Sequence, residues 1–311
     1  MSILEKRGFV SNVTSPKAKM EAVTGFPIVL YAGFDPTADS LHLGNLLVIM
    51  ALAHFQHCGH RPICLIGGAT GMIGDPSGRS KERELLSSDT LQANIRGITQ
   101  NLHQFLDFSP KNGAILVNNH DWFSKLSAID YLRDIGKHFR MGSMLLKESV
   151  RSRMDSTDGM SFTEFSYQTL QSFDYYYLHK KYHCSLQIGG SDQWGNITAG
   201  IDFIRKRTQR TVHGLTIPLL TTSKGEKFGK SMGNAIWLNA EKTSPFALYQ
   251  HLFHSDDRDI IRFLKLFTFL SLEEIESLEK SHQQTPQLQQ PHKALAKEVT
   301  RFVHGSKGLL S

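Results

Sequence analysis

The chain has 311 residues, 40% hydrophobic and 21% charged, with a formal net charge of +6. This is ordinary globular composition, enough for one large core domain and part of a second, with no apolar run of about 18 residues to cross a membrane. The start, Met1-Ser2-Ile3-Leu4-Glu5-Lys6, lacks the apolar stretch of a secretory signal. Three cysteines without a CxxC pair exclude a disulfide framework or a cysteine zinc site and point to a reducing, cytoplasmic setting. The basic excess, with a pI near 9.1, suits an anionic partner such as a nucleotide or RNA.

In chain order, residues 27–31 form a short apolar run that ends at Gly33, which predicts a strand. Residues 41–57 are rich in helix formers and stop at Gly59. A second apolar run, 62–66, closes on Gly67-Gly68. Leu91, Ile95, Ile98, Leu102 and Phe105 recur at spacings of three and four, one face of an amphipathic helix. Residues 114–117, 185–188 and 215–219 read as further strands. Short apolar strands alternating with helices predict an α/β fold, a doubly wound, Rossmann-like parallel sheet with helices on both faces. In such sheets ligands sit beyond the carboxyl ends of the strands. The Gly-rich and polar segments fall there: Gly33-Phe34-Asp35, Gly67-Gly68-Ala69-Thr70, Asn118-Asn119 and Gly189-Gly190-Ser191-Asp192.

After Pro218 the character changes. Residues 221–234 are polar and basic with three glycines, which predicts an exposed loop. Beyond it the chain reads as helical. Ser244-Pro245 places Pro at a helix N1 position, and Ser271-Leu272-Glu273-Glu274 is a capping box. Residues 282–292, rich in Gln and Pro, read as a loop, and 293–304 as a last helix closed by Gly305.

Two segments carry the chemistry. Around His42-Leu43-Gly44-Asn45 a helix opens directly after a strand, and its free N–H groups make an anion site. Gly44 leaves room for a nucleotide to approach the backbone. Lys227-Phe228-Gly229-Lys230-Ser231 sets two lysines three apart on a Gly-containing loop, able to close over a polyphosphate. Singly, each is commonplace. In this order, one after the first strand and one after the last, they resemble the His-Ile-Gly-His and Lys-Met-Ser-Lys-Ser signatures of class I aminoacyl-tRNA synthetases.

Longer segments sharpen the resemblance. Residues 31–42, 67–78, 161–167 (Ser-Phe-Thr-Glu-Phe-Ser-Tyr) and 186–198 are similar to bacterial-type tyrosyl-tRNA synthetases, over a span from about Gly25 to His304. The family implies in-line attack of the tyrosine carboxylate on ATP, with Mg2+ as the ATP counter-ion and no dedicated protein metal site. It implies His42 and Asn45 near the ATP phosphates and ribose, and Lys227 and Lys230 as a cationic clamp ending in Ser231. Arg79 and Arg83 match further family cations. Tyr31 and Asp174 match the partners of the tyrosine hydroxyl, and Asp75, Tyr167 and Gln171 those of its ammonium. Gln193 and Asn119 would flank its carboxylate. Asp35 and Asp192 would contact the adenylate, and Gly33, Gly44 and Gly190 would let backbone approach the nucleotide. The implied partners are L-tyrosine, ATP and tRNA(Tyr), with a homodimer formed in part through residues 129–144.

The implied organisation is a catalytic domain over 1–220, a signature-loop linker over 221–243 and the start of an α-helical anticodon-binding domain over 244–311. On this reading the family's C-terminal RNA-binding domain is absent. One departure concerns the site: Asn45 stands where the signature has its second His. Alternatives are a tryptophan-specific enzyme, an RNA-binding protein with lost chemistry, and another nucleotidyl transferase. Tyr31 with Asp174 argues against the first. His42, Lys227 and Lys230 argue against the second.

Overall fold

The computed structural model describes residues 2–16, 26–78, 82, 86–110, 113–155, 159–223, 225, 228–231 and 234–310, the side chains of 149, 230, 231 and 234 excepted. The main sheet contains β1 (Asn12–Val13), β2 (Val29–Phe34), β3 (Arg61–Ile66), β4 (Ile115–Asn118), β5 (Cys184–Gly190) and β6 (His213–Ile217). Their spatial order is β1-β6-β5-β2-β3-β4. All pairs are parallel except β1 with β6. From β2 the chain steps outward through β3 to β4, then returns to β5 on the other side of β2. The crevice beyond the carboxyl ends of β2 and β5 is therefore the topological switch point, where such sheets bind ligands. The two-residue strand β1 has no signal in the sequence; its register comes from pairing with Thr216 and Leu215, some 200 residues away.

The helices follow the apolar spacing. Ser2–Arg7 is α1, Leu43–His57 is α2 and Ser88–Phe105 is α3. α4 (Phe162–Tyr182) and α5 (Trp194–Thr208) pack together beside β5. α2 buries ten of its fifteen residues, from Leu43 to Phe55. A helix apolar nearly all round must be covered on both sides, and it lies between the sheet and the C-terminal helices. Those are α6 (Pro245–Phe253), α7 (Asp257–Phe267), α8 (Leu272–Gln284) and α9 (Gln290–Leu310). Ser244 caps α6 with Pro245 at its start, and Ser271 and Glu274 close a capping box on α8.

One core runs through both regions: Leu46 and Ile49 of α2 share it with Phe228, Phe263, Ile275 and Val299. The helical region therefore rests on the sheet domain's core. From the other terminus, the Arg7 guanidinium donates to the carbonyls of Lys265, Thr268 and Leu270.

Three local readings change. Residues 282–292 are not one loop: α8 continues to Gln284, a 3-10 turn covers Pro286–Leu288, and α9 starts at Gln290. Gly305, at φ 69°, does break α9 as its position suggests, but helical residues resume beyond it. The segment after Pro218 contains a small antiparallel hairpin, β7 (Lys230–Ser231) with β8 (Asn234–Ala235).

Candidate active site

The helix expected around His42 starts at Leu43, with His42 as its N-cap. Nδ1 of His42 accepts from the Gly44 N–H at 3.0 Å. An accepting Nδ1 puts the proton of a neutral ring on Nε2. Asn45 Oδ1 accepts from the His42 N–H at 3.1 Å, completing a reciprocal capping box. The amide of Asn45 thus has a structural task that needs an acceptor and no charge. A Cβ on Gly44 would stand 2.8 Å from Cε1 of His42, so Gly44 makes room for the capping imidazole within the protein itself.

The second signature segment meets the first through backbone. Gly229 has φ +84°, and a Cβ there would lie 3.1 Å from the Gly44 nitrogen. A side chain would be strained by conformation and by contact together. Ile236, which the sequence reading passed over, links the segments: its N–H donates to the Gly229 carbonyl and its carbonyl accepts from the Leu43 N–H, each at 2.8 Å. Trp237 forms a bridge with His42. Phe228 packs under the hairpin against Phe263 and Phe267. These contacts fix the backbone of Lys230 and Ser231 beside the start of α2. Lys227, Arg79 and Arg83 lie outside the described residues.

Beyond the carboxyl ends of β2, β3 and β5 lies a cluster of largely buried polar side chains. At one end, Tyr31 is 1% exposed, and its hydroxyl has no hydrogen-bond partner among the described residues. Asp174, equally buried, accepts from Trp122 Nε1 at 2.9 Å and from Asn119 Nδ2 at 3.1 Å. Burial pushes the Asp174 carboxyl well above the usual carboxylate range, against the opposing pull of those two donors. Burial likewise raises the Tyr31 phenol, and the charge of Asp174 adds to it.

In the middle, the Tyr167 hydroxyl donates to Asp35 Oδ2 at 2.8 Å, and Thr70 donates to Asp35 Oδ1 at 2.8 Å. Burial raises the Tyr167 phenol most, with the charges of Asp35, Asp75 and Asp174 adding to it. One phenol thus feels three carboxylates drawn from the segment after β2, the loop after β3 and α4. Gly67 allows this packing, since a Cβ there would fall 2.0 Å from Asp35 Oδ1. At the other end, Asp75 accepts from the Ser77 N–H at 2.9 Å and from Gln193 Nε2 at 2.7 Å. Gln171 Nε2 and Asn196 Nδ2 both donate to Gln193 Oε1 at 3.2 Å. Asp192 lies close by, with its Oδ1 2.4 Å from where a Cβ on Gly190 would stand. Gly33 is exposed, and a Cβ there would meet only Leu65, at 3.6 Å.

Most of the predicted residues that are described gather here, and Asn119 finds its hydrogen-bond partners at the Asp174 end. Asn119, expected beside Gln193, is fully buried with Thr70, Asp174 and the Ala69 N–H as its partners. It belongs with Asp174, because its place after β4 brings it under α4. The sequence reading missed Thr70 and Asn196, although both lie inside the motif segments. Trp122, too, belongs to the site, since its indole N–H donates to Asp174. Away from the site, His54 is buried between Phe9 and Phe269, and its pKa is lowered to about 4 chiefly by burial.

A parallel sheet with polar residues gathered at its switch point and two signature segments in backbone contact are the marks of a class I tRNA synthetase. The family model for class I tRNA synthetases of the tryptophan and tyrosine group matches residues 24–310. The "Tyrosine--tRNA ligase" of Pectobacterium carotovorum subsp. carotovorum is 51% identical over 308 residues, covering 98% of this chain and 72% of that protein. That of Staphylococcus haemolyticus is 51% identical over 307 residues, with 98% and 73% covered. A C-terminally truncated mitochondrial tyrosyl-tRNA synthetase from Aspergillus nidulans superposes with a TM-score of 0.89 at 34% identity, over 99% of this chain and 90% of that one. Within its class, the chain belongs to the tyrosine–tRNA ligase family.

Proposed function

We propose that this protein condenses L-tyrosine with ATP to tyrosyl-adenylate and then transfers the tyrosyl group to tRNA(Tyr). The observation that carries the substrate is the unpartnered Tyr31 hydroxyl beside the buried Asp174 carboxyl, at the closed end of the cleft. A phenol there accepts from Tyr31 and donates to Asp174, satisfying both groups. An indole, a donor only, offers no acceptor to the Tyr31 O–H. The α-ammonium lies among Asp75, Tyr167 and Gln171, where three carboxylates favour a cation, and Gln193 is at the carboxylate end.

In the first step an oxygen of the tyrosine carboxylate attacks the α-phosphorus of ATP. A new P–O bond forms as the bond to the β-phosphate oxygen breaks, and Mg2+-pyrophosphate departs. In the second step a terminal ribose hydroxyl of tRNA attacks the tyrosyl carbonyl and AMP leaves. No side chain becomes covalently linked. Catalysis is positioning together with charge stabilisation. The Nε2–H of His42 faces the phosphates; the first N–H groups of α2, expected to be free for an anion, are instead taken by the Ile236 carbonyl, His42 Nδ1 and the His42 carbonyl. Lys227, Lys230 and Ser231, joined by Arg79 and Arg83, neutralise the leaving pyrophosphate. Gly33 and Gly190 let the adenosine lie on the sheet edge, where Asp192 holds the ribose. At Gly33 the protein itself leaves space for a side chain, so a close ligand accounts for the glycine. ATP and Mg2+ enter as substrate, and the protein serves translation in the cytoplasm on this proposal. Catalysis is assigned to 1–220 with the 221–243 linker, and tRNA contact to 244–311.

The test is tyrosine-dependent ATP–pyrophosphate exchange, run beside phenylalanine and tryptophan. Exchange is expected with tyrosine alone. No exchange from folded protein would overturn the catalytic reading, and exchange with tryptophan would overturn the pocket assignment.

The working unit is a homodimer. Ile129 (69% exposed), Leu132, Met141, Leu145 and Leu146 present apolar side chains to solvent along one stretch of chain, a density that marks an interface. In sedimentation the protein is expected to run at about twice its 35.0 kDa chain mass. Ile129→Glu with Met141→Glu should return it to the monomer. A wild-type monomer would exclude the assembly.

A further inference from the structure

The helical region holds a second cluster that the adenylate chemistry does not use. Asp257 opens α7, His282 stands in the last turn of α8 and His292 in the first turn of α9. Nε2 of His282 and Nε2 of His292 each lie 3.2 Å from the same oxygen, Oδ1 of Asp257. The Ser255 carbonyl is 3.1 Å from His292 Nε2. All three candidate ligand atoms fall within 4.8 Å of one another. The His292 side chain is 3% exposed, that of His282 15% and that of Asp257 70%.

We propose that Asp257, His282 and His292 form a site for a divalent transition metal of the zinc type, which clips α7, α8 and α9 together. Ligands about 2.0–2.1 Å from a tetrahedral zinc are separated by about 3.3 Å along each edge. The two nitrogen-to-oxygen separations of 3.2 Å match that edge, and so does the 3.1 Å to the Ser255 carbonyl. Two imidazole nitrogens with one carboxylate suit zinc, cobalt or nickel; calcium and magnesium prefer oxygen throughout. The exposed Asp257 gives the ion a path from solvent, while the two rings are held by packing and stand 5.5 Å apart between centroids. The fourth position falls to the Ser255 carbonyl or to water.

Neither Nδ1 has a hydrogen-bond partner among the described residues. Metal-bound imidazoles usually donate that proton to an acceptor, and each missing acceptor weakens binding about 10- to 100-fold. Affinity is therefore expected in the micromolar range, not the nanomolar range of a structural finger. Lying in the helical region, the ion has a structural role and takes no part in adenylation.

The experiment titrates the chelator-treated full chain with Zn2+ in a calorimeter and with Co2+ in a spectrophotometer. One equivalent should bind, with the visible bands of tetrahedral Co2+, and saturating Zn2+ should raise the unfolding temperature. Asp257→Asn alters an exposed side chain and His282→Gln a largely buried one; each should abolish the Co2+ bands and the Zn2+ stabilisation while leaving the circular dichroism and tyrosine-dependent exchange unchanged. Absence of binding by the wild-type chain would overturn the site. So would binding that persists unaltered in both variants, which would place the metal elsewhere.

Discussion

Replacing Asp174 by alanine is expected to lower kcat/KM for tyrosine on the order of 10³-fold and to destabilise the free protein by about 2–4 kcal/mol. The substrate loses an acceptor for its buried phenol, worth about 1.5–3 kcal/mol when the partner is a carboxylate. Displacement of the reacting carboxylate at the far end of the same small molecule supplies the rest. Stability falls because Trp122 Nε1 and Asn119 Nδ2 both point at this carboxylate and would be left buried and unsatisfied. Tyr31→Phe provides the contrast. It removes a hydroxyl that has no partner in the free chain, so the unfolding temperature should hold or rise while the KM for tyrosine increases roughly tenfold. Pyrophosphate exchange at varied tyrosine, paired with thermal unfolding, reads both quantities. A Tyr31→Phe protein that loses stability and keeps its KM would show that the hydroxyl serves the fold and not the ligand.

Lys230→Ala is expected to reduce the exchange rate about 10²- to 10³-fold with little change in the affinity for tyrosine. This is the signature of an interaction made mainly in the transition state. The backbone of Lys230 is held near the start of α2 by the contact of Gly229 with Gly44 and by the two hydrogen bonds of Ile236. An ammonium carried on that backbone meets charge that accumulates only as pyrophosphate departs. On the proposed assignment tyrosine binds away from this hairpin, at Tyr31 and Asp174, so its affinity reports whether the rest of the site is intact. Exchange kinetics at saturating tyrosine, with equilibrium binding measured separately, distinguish the outcomes. Equal losses in rate and in tyrosine affinity would mean that the substitution had disturbed the fold of the hairpin.

His42 and Asn45 show how a motif read for chemistry can also serve structure. Both side chains take part in the capping box of α2. For the backbone N–H at the cap, the amide oxygen of Asn45 is an acceptor at every pH, whereas a protonated imidazole would offer none. The substitution that departs from the usual signature is thus compatible with the helix it opens. The three carboxylates around Tyr167 carry a complementary lesson about charge. They suit an ammonium and repel a triphosphate, so the cations on the surrounding segments are needed before ATP can approach.

Signals contained within a few residues were legible in the chain alone. Apolar runs located β2 to β6, spacings of three and four located α3, and Ser244-Pro245 and the Ser271 capping box marked helix starts, because caps and periodicity act through neighbours. Glycines and polar residues at the strand ends announced a cleft, and the motif segments named most of its walls. What the sequence could not supply was which distant residues meet. Asp35 bonds Tyr167 from 132 positions away, Gln193 reaches back 118 positions to Asp75, and Asn119 joins Asp174 instead of Gln193. Those meetings follow from the return of the chain to β5 beside β2, and only the packed sheet decides that. The same holds for β1, paired across the chain to β6, for the contact of Gly229 with Gly44, and for Asp257, His282 and His292. The last three come from a helix start, a segment read as loop and the end of that segment, and they converge because α7, α8 and α9 close on a common apolar core. Local propensity determines an element; the burial that selects its neighbours is a property of the whole chain.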